Sequence, residues 1–205
     1  KVNTYDSGLL DGRLKKMPLE SQGPHVHVLN TCAVTREATL EASKLARKLK
    51  TENPSAVVVL TGCAAQVDTE VLAEAPGVDL VVANSHKGKL ENLIQRFLAG
   101  QLNERVFKSN IFKKEDLEPG GGVETSHTRS FLKIQDGCNS FCTFCVIPFA
   151  RGKSRSLRVQ DLVTRVQELS DQGVKEVVFT GVHIGDYEDG EFRIEDLIEQ
   201  VLAQT

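Results

Sequence analysis

The stretch DGCNSFCTFC, Asp136 to Cys145, places Cys138, Cys142 and Cys145 within eight residues at C-x3-C-x2-C spacing. Thiolates are the soft ligands that select zinc and iron–sulfur clusters. A structural zinc site normally takes four protein ligands, usually as two C-x2-C-like pairs. An electron-transfer 4Fe–4S cluster normally takes four cysteines. Three thiols on one loop leave a position open, which favours an iron–sulfur cluster with one iron free for a small molecule. Zinc, completed by His127 or His183, and unligated core cysteines are the alternatives.

The other two cysteines occupy matched settings, VLNTCA at residues 28–33 and VLTGCA at 59–64. Cys32 and Cys63 each follow a β-branched run, so each lies just past the carboxyl end of a strand. Adjacent strands of a sheet are about 5 Å apart, so both thiols could reach one crevice. Two small buried hydrophobes are the competing reading. Five cysteines in a lopsided arrangement fit a disulfide framework poorly.

The elements that must position these thiols are legible from periodicity. Residues 26–30, 56–61 and 78–83 are short apolar runs of the kind found in buried parallel strands. Between and after them, amphipathic patterns predict helices over 35–50, 66–75 and 89–99, the first with Leu40, Leu45 and Leu49 on one side. This βαβαβα order predicts an open α/β domain with a parallel sheet, over 1–100. Residues 101–128 read as a linker with an ordered first part, glycine-rich at Gly120–Gly122. Beyond it come a strand at 131–135, a helix at 159–169, a strand at 176–180 and a helix at 194–202. Two βα units are fewer than a closed barrel needs, so 129–205 reads as the truncated start of a second α/β domain. The cysteine loop follows its first strand, at the edge where α/β proteins bind ligands.

Arg151, Lys153, Arg155 and Arg158 place four positive charges in eight residues without an acid. A solvated loop explains them; so does contact with anionic groups. In TGVHIGDY, residues 180–187, Gly181 would let backbone approach a ligand closely. His183 is open as a ligand, a base or a surface histidine. The net charge of −3 argues against wholesale wrapping of nucleic acid. No apolar run approaches the roughly 20 residues of a membrane span, and the first residues, KVNTYDSG, are polar. A cytoplasmic protein away from membranes is expected.

Cys138, Cys142, Phe144 and Cys145 form C-x3-C-x-aromatic-C, which resembles the signature of radical S-adenosylmethionine (SAM) enzymes. KVNTYDS, LNTCAVT, TGCAAQ, SFLKIQDGCNSFCTFCVIPFARGKSRS and TGVHIGDY fall in the order seen in the radical SAM methylthiotransferase family. Within it, KVN, NTCAVT and IQDGCNSFC resemble the branch acting on N6-threonylcarbamoyladenosine in tRNA. The resemblance implies a Rossmann-like methylthiotransferase domain followed by the first βα units of a radical SAM partial barrel. It implies a 4Fe–4S cluster on Cys138, Cys142 and Cys145, with SAM on the open iron and Phe144 beside its adenine. Arg151, Arg155 and Gly181 are the implied contacts to SAM or, for the arginines, tRNA phosphates. A second 4Fe–4S cluster is implied at Cys32 and Cys63, its third family cysteine expected just before the position of Lys1.

The reaction so implied inserts sulfur and a methyl group at C2 of the modified adenosine at position 37 of tRNA, beside the anticodon. A reducing donor such as flavodoxin or ferredoxin is the implied second partner. Other family branches, acting on isopentenyladenosine tRNA or a ribosomal protein, are alternatives. So are a non-catalytic iron–sulfur electron carrier and a zinc-stabilised nucleic-acid-binding module.

Overall fold

A computed structural model describes residues 2–17, 23–115, 117 and 129–205. In chain order it contains α1 (Val2–Leu14), β1 (Val26–Thr31), α2 (Arg36–Glu52), β2 (Val57–Gly62), α3 (Cys63–Val67), α4 (Thr69–Ala73) and β3 (Leu80–Ala83). There follow α5 (Leu90–Leu98), β4 (Val106–Phe107), β5 (Ser130–Lys133), β6 (Gln135–Asp136), α6 (Ile147–Arg151), β7 (Arg155–Ser156), α7 (Val159–Asp171), β8 (Val177–Thr180) and α8 (Ile194–Gln204). His127 and Gly120–Gly122 lie outside the described residues.

By packing, the chain forms two compact units that interleave along the sequence. One comprises Lys16–Lys114 and Cys142–Gly152; the other comprises Lys1–Lys15, Glu115–Phe141 and Lys153–Thr205.

The first unit is built on a parallel sheet in the order β1-β2-β3-β4. The VVVL run of β2 is buried along its whole length, as a central parallel strand demands. β4 comes from the start of the segment that reads as a linker, where two residues suffice to pair with β3. Thr35 caps α2 by accepting the Ala38 amide at 3.2 Å, and the helix ends at Asn53, before Pro54. Its buried face differs from the leucine stripe: Thr39 and Ala46 are buried, while Leu40 and Leu45 stay 45% and 43% exposed. Polar pins set this rotation. Thr39 donates to Asp68 at 3.0 Å, and Lys50 pairs with Asp79 at 2.7 Å. Gly77 also approaches so closely that a Cβ there would lie 3.0 Å from the Ala46 carbonyl oxygen, which only a small helix face admits. The helix expected over 66–75 is broken at Asp68 into α3 and α4.

In the second unit β5 and β8 pair in parallel, from Ser130↔Val177 to Lys133↔Thr180, and β6 pairs antiparallel with β7. α7 buries Val159, Leu162, Val163, Val166 and Leu169, one stripe at helical spacing. Val159, Leu162, Val163 and Val166 share one core with Leu132, Ile134, Leu197 and Tyr187.

α1, which no periodicity announces, joins this unit through Tyr5, Asp6 and Leu10. Lys133 lies buried in β5, where an unpaired ammonium would be costly. Its Nζ bonds Asp6 at 2.6 Å and Asp136 at 3.2 Å, and lies 5.3 Å from the Tyr5 ring centre. This charge cluster is what ties the first helix to a strand more than a hundred residues later. No described helix is long and apolar enough to cross a membrane.

Candidate functional site

The approach to the cysteine loop is held by side chains. Gln135 is fully buried, and its Nε2 donates to the Gly137 carbonyl at 2.8 Å and to Ser154 Oγ at 2.9 Å. Asp136 Oδ1 accepts the Gly137 amide at 2.9 Å. Both backbone groups of Gly137 are thus fixed, at a positive φ of 77° that suits glycine. Cys138 follows directly and its Sγ accepts the Ser140 amide at 3.4 Å. Asn139 Oδ1 accepts the Ser154 amide at 3.1 Å. Phe141, at φ 46°, is the one non-glycine residue at positive φ among those described.

The division between the units falls between Phe141 and Cys142. In the other unit the Cys145 amide donates to the Cys142 carbonyl at 2.9 Å, so a tight turn carries this pair. Cys142 is exposed and Cys145 half-buried; Phe144 between them is 90% exposed. α6 follows, starting at Ile147 with Pro148 in its first turn, where proline costs no hydrogen bond. Phe149 meets Phe112 edge-on at 5.9 Å.

The end of β8 is fixed by the same glutamine. Gln135 Oε1 accepts the amides of Val182 at 3.0 Å and His183 at 2.9 Å. Gly181 fits closely here: a Cβ would lie 3.0 Å from Gln135 Oε1 and 2.9 Å from Ile184 Cγ2, so a neighbour would have to shift. His183 Nδ1 lies 2.9 Å from Asp186 Oδ2. The potential ligand atoms of Cys138, His183 and Asp186 all fall within 4.8 Å of one another. Nearby, burial drives the Tyr187 phenol well above its usual range, and its hydroxyl donates to the Leu157 carbonyl at 2.7 Å.

The basic stretch is not one uniform patch. Arg151 is buried in α6, and Lys153 is exposed. Arg155 is half-buried in β7, opposite Asp136. Arg158 makes a two-pronged bond to Asp161 at 2.8 and 2.9 Å, which raises its already high pKa.

At the sheet edge, Thr31↔Gly62 is the last pair of β1 and β2, and Cys32 and Cys63 are the next residues of each. The turn there is tight: a Cβ on Gly62, at φ 98°, would lie 2.4 Å from the Thr31 carbonyl oxygen. Thr31 Oγ1 donates to the Thr61 carbonyl at 2.6 Å and accepts the Ala65 amide at 3.3 Å, tying both strand ends to α3. Cys32 Sγ accepts the Val34 amide at 3.5 Å. Cys63, at the start of α3, is buried, and the side-chain Nδ2 of Asn84 donates toward its Sγ from 3.7 Å. Asn84 follows β3 and also donates to the Ala150 carbonyl at 2.9 Å.

Gln135 and Asn84 are the residues that motif reading misses. Each had a signal: a glutamine inside an apolar strand must be satisfied, and VVAN at 81–84 repeats the strand-end placement of Cys32 and Cys63.

None of the five thiols is in a disulfide. Amide donors aimed at Cys32, Cys63 and Cys138 match the hydrogen bonding that tunes cluster sulfurs, so the donor set fits thiolate ligation of iron.

Residues 1–83 match the model of an uncharacterized protein family, UPF0004, and residues 132–203 match that of the radical SAM superfamily. The chain is 38% identical over 192 residues to the threonylcarbamoyladenosine tRNA methylthiotransferase MtaB of Aquifex aeolicus (strain VF5), covering 91% of this chain and 47% of that protein. Both parts of the chain thus resemble the radical SAM methylthiotransferases.

A further relative is the tRNA-2-methylthio-N(6)-dimethylallyladenosine synthase of Thermodesulfovibrio yellowstonii, 30% identical over 98% of this chain and 47% of that protein. The chain thus spans about half the length of these family members. Among solved structures, the radical SAM methyltransferase TsrM from Kitasatospora setae matches with a TM-score of 0.59 over 97% of this chain and 42% of that one. At 12% identity, that likeness is one of fold.

Proposed function

We propose that the full protein inserts sulfur and a methyl group at C2 of N6-threonylcarbamoyladenosine at position 37 of tRNA. The observation that carries this reading is the cysteine loop itself: C-x3-C-x2-C, beginning at a pinned Gly137 and bringing Cys138 beside the end of β8. The 38% identity to a threonylcarbamoyladenosine enzyme, against 30% to a dimethylallyladenosine one, supports the branch.

In this reading Cys138, Cys142 and Cys145 hold a 4Fe–4S cluster, their short tether being enough to bring three thiols to one ion group. Bound there, cluster and SAM supply the electron and the hydrogen-abstracting radical. Cys32 and Cys63 contribute to a second 4Fe–4S cluster at the sheet edge, on the side of sulfur delivery. Gly181 leaves room at the β8 end for the SAM amino group, and the exposed Phe144 ring offers a face to adenine. Arg151 and Arg155 supply positive charge for the SAM carboxylate or for tRNA phosphate.

The division into an N-terminal domain over 1–100, a connecting segment over 101–128 and a SAM domain from 129 belongs to the same reading. So do a cytoplasmic location and a flavodoxin- or ferredoxin-type donor.

Nucleoside mass spectrometry of tRNA from cells lacking the full-length protein tests it. The expected result is loss of the 2-methylthio form of threonylcarbamoyladenosine, with the unthiolated nucleoside accumulating. Loss of the isopentenyl counterpart instead assigns the protein to that branch, and an unchanged nucleoside profile contradicts the proposal.

A further inference from the structure

We infer that Gln135 is the positioning residue of the SAM site, holding Cys138 in register with the strand end that carries Gly181 and His183. The inference rests on the cluster reading proposed above. It starts from a buried side chain whose hydrogen-bonding capacity is fully used. One carboxamide nitrogen serves the carbonyl of Gly137, immediately before Cys138, and the hydroxyl of Ser154. A longer contact, 3.3 Å, reaches the Asp136 carbonyl. The oxygen of the same group serves two successive amides, Val182 and His183. One planar group therefore joins the start of the cysteine loop, the segment after it and the end of β8.

No apolar residue can do this, because both loops present backbone polar groups that would be left unsatisfied in a buried place. Glutamate cannot do it either: the Ser154 hydroxyl can turn to donate to a carboxylate, but the Gly137 carbonyl needs a donor that a carboxylate lacks. The absent side chain at position 181 completes the fit: the glycine lets the β8 end close onto Gln135 Oε1. The result is that Cys138, His183 and Asp186 present their donor atoms within 4.8 Å. A ligand chelated beside Cys138 and touching the β8 end needs these two segments at a fixed spacing, and Gln135 sets it.

The test uses the full-length protein carrying Cys32→Ala and Cys63→Ala, so that only the loop cluster contributes to the signal. After anaerobic reconstitution, iron per chain, SAM affinity and the electron paramagnetic resonance spectrum of the reduced cluster with and without SAM are measured. In the Gln135→Leu variant the SAM dissociation constant should rise roughly ten- to hundred-fold, as for loss of an outer support, and SAM should no longer alter the spectrum. Loss of the cluster from a folded variant supports the inference equally, because Cys138 has then left its position. Should leucine prevent folding, Gln135→Glu, similar in volume and still an acceptor for residues 182 and 183, is measured against the same two outcomes. Unchanged SAM affinity together with an unaltered SAM-induced spectral change overturns the inference. Failure of the parent protein to take up iron, or to bind SAM, counts against the cluster reading instead.

Discussion

The two cysteine-bearing regions are held by different means. Cys32 and Cys63 follow two neighbouring parallel strands, and their placement is dictated by the backbone ladder from Val26↔Val57 to Thr31↔Gly62. Cys138 is reached through a short β6 and a glycine whose backbone is fixed by the side chains of Gln135 and Asp136. The sheet edge thus rests on backbone pairing, while the start of the loop rests on two side chains, each of which a single substitution can remove. On the proposed reading, that difference suits a rigid site at one place and a site that admits a second ligand at the other.

The comparison can be broken most forcefully at Gly62. Its positive φ and the 2.4 Å approach of the Thr31 carbonyl to a Cβ leave no relaxation short of moving β1. Gly62→Ala should cost about 4–5 kcal/mol, at the extreme of single substitutions, and is read by urea unfolding. Next comes Asp6→Ala, which leaves buried Lys133 with Asp136 as its one carboxylate partner among the described residues. Removing one partner of a buried pair costs about 3–5 kcal/mol, and α1 should exchange its amide hydrogens faster than α7 in the same unit. Gly181→Ala sharpens the contrast at the β8 end: overpacking against Gln135 and Ile184 should cost about 1–3 kcal/mol, with a larger proportional effect on SAM binding than on folding. At the small end of the scale, Cys142→Ala on the exposed turn should change unfolding free energy by no more than about 0.5 kcal/mol while removing the iron absorbance of the loop site. A large stability loss there would mean that Cys142 is a packing residue.

How much of this can be read in the sequence follows from the forces involved. β2, wholly apolar, and α7, with a clean helical stripe, are legible because burial alone positions them. The face of α2 is not, because Asp68, Asp79 and Gly77, all distant in sequence, set its rotation against the pull of Leu40 and Leu45. α1 escapes periodicity for a similar reason: its anchor, Asp6 on Lys133, spans more than a hundred residues. The cysteines are legible from type and spacing. Gln135 is not, because its meaning lies in which two loops it joins, and only the fold brings Gly137 and His183 to one side chain.

The central claim is that the two regions do separate work, and it is tested most directly by measuring SAM cleavage and tRNA thiolation side by side in the full-length enzyme. The Cys32→Ala/Cys63→Ala variant should still release 5′-deoxyadenosine but leave tRNA unthiolated, whereas the Cys138→Ala variant should do neither. Normal thiolation by the Cys32→Ala/Cys63→Ala variant, or SAM cleavage by Cys138→Ala at the wild-type rate, would contradict the account.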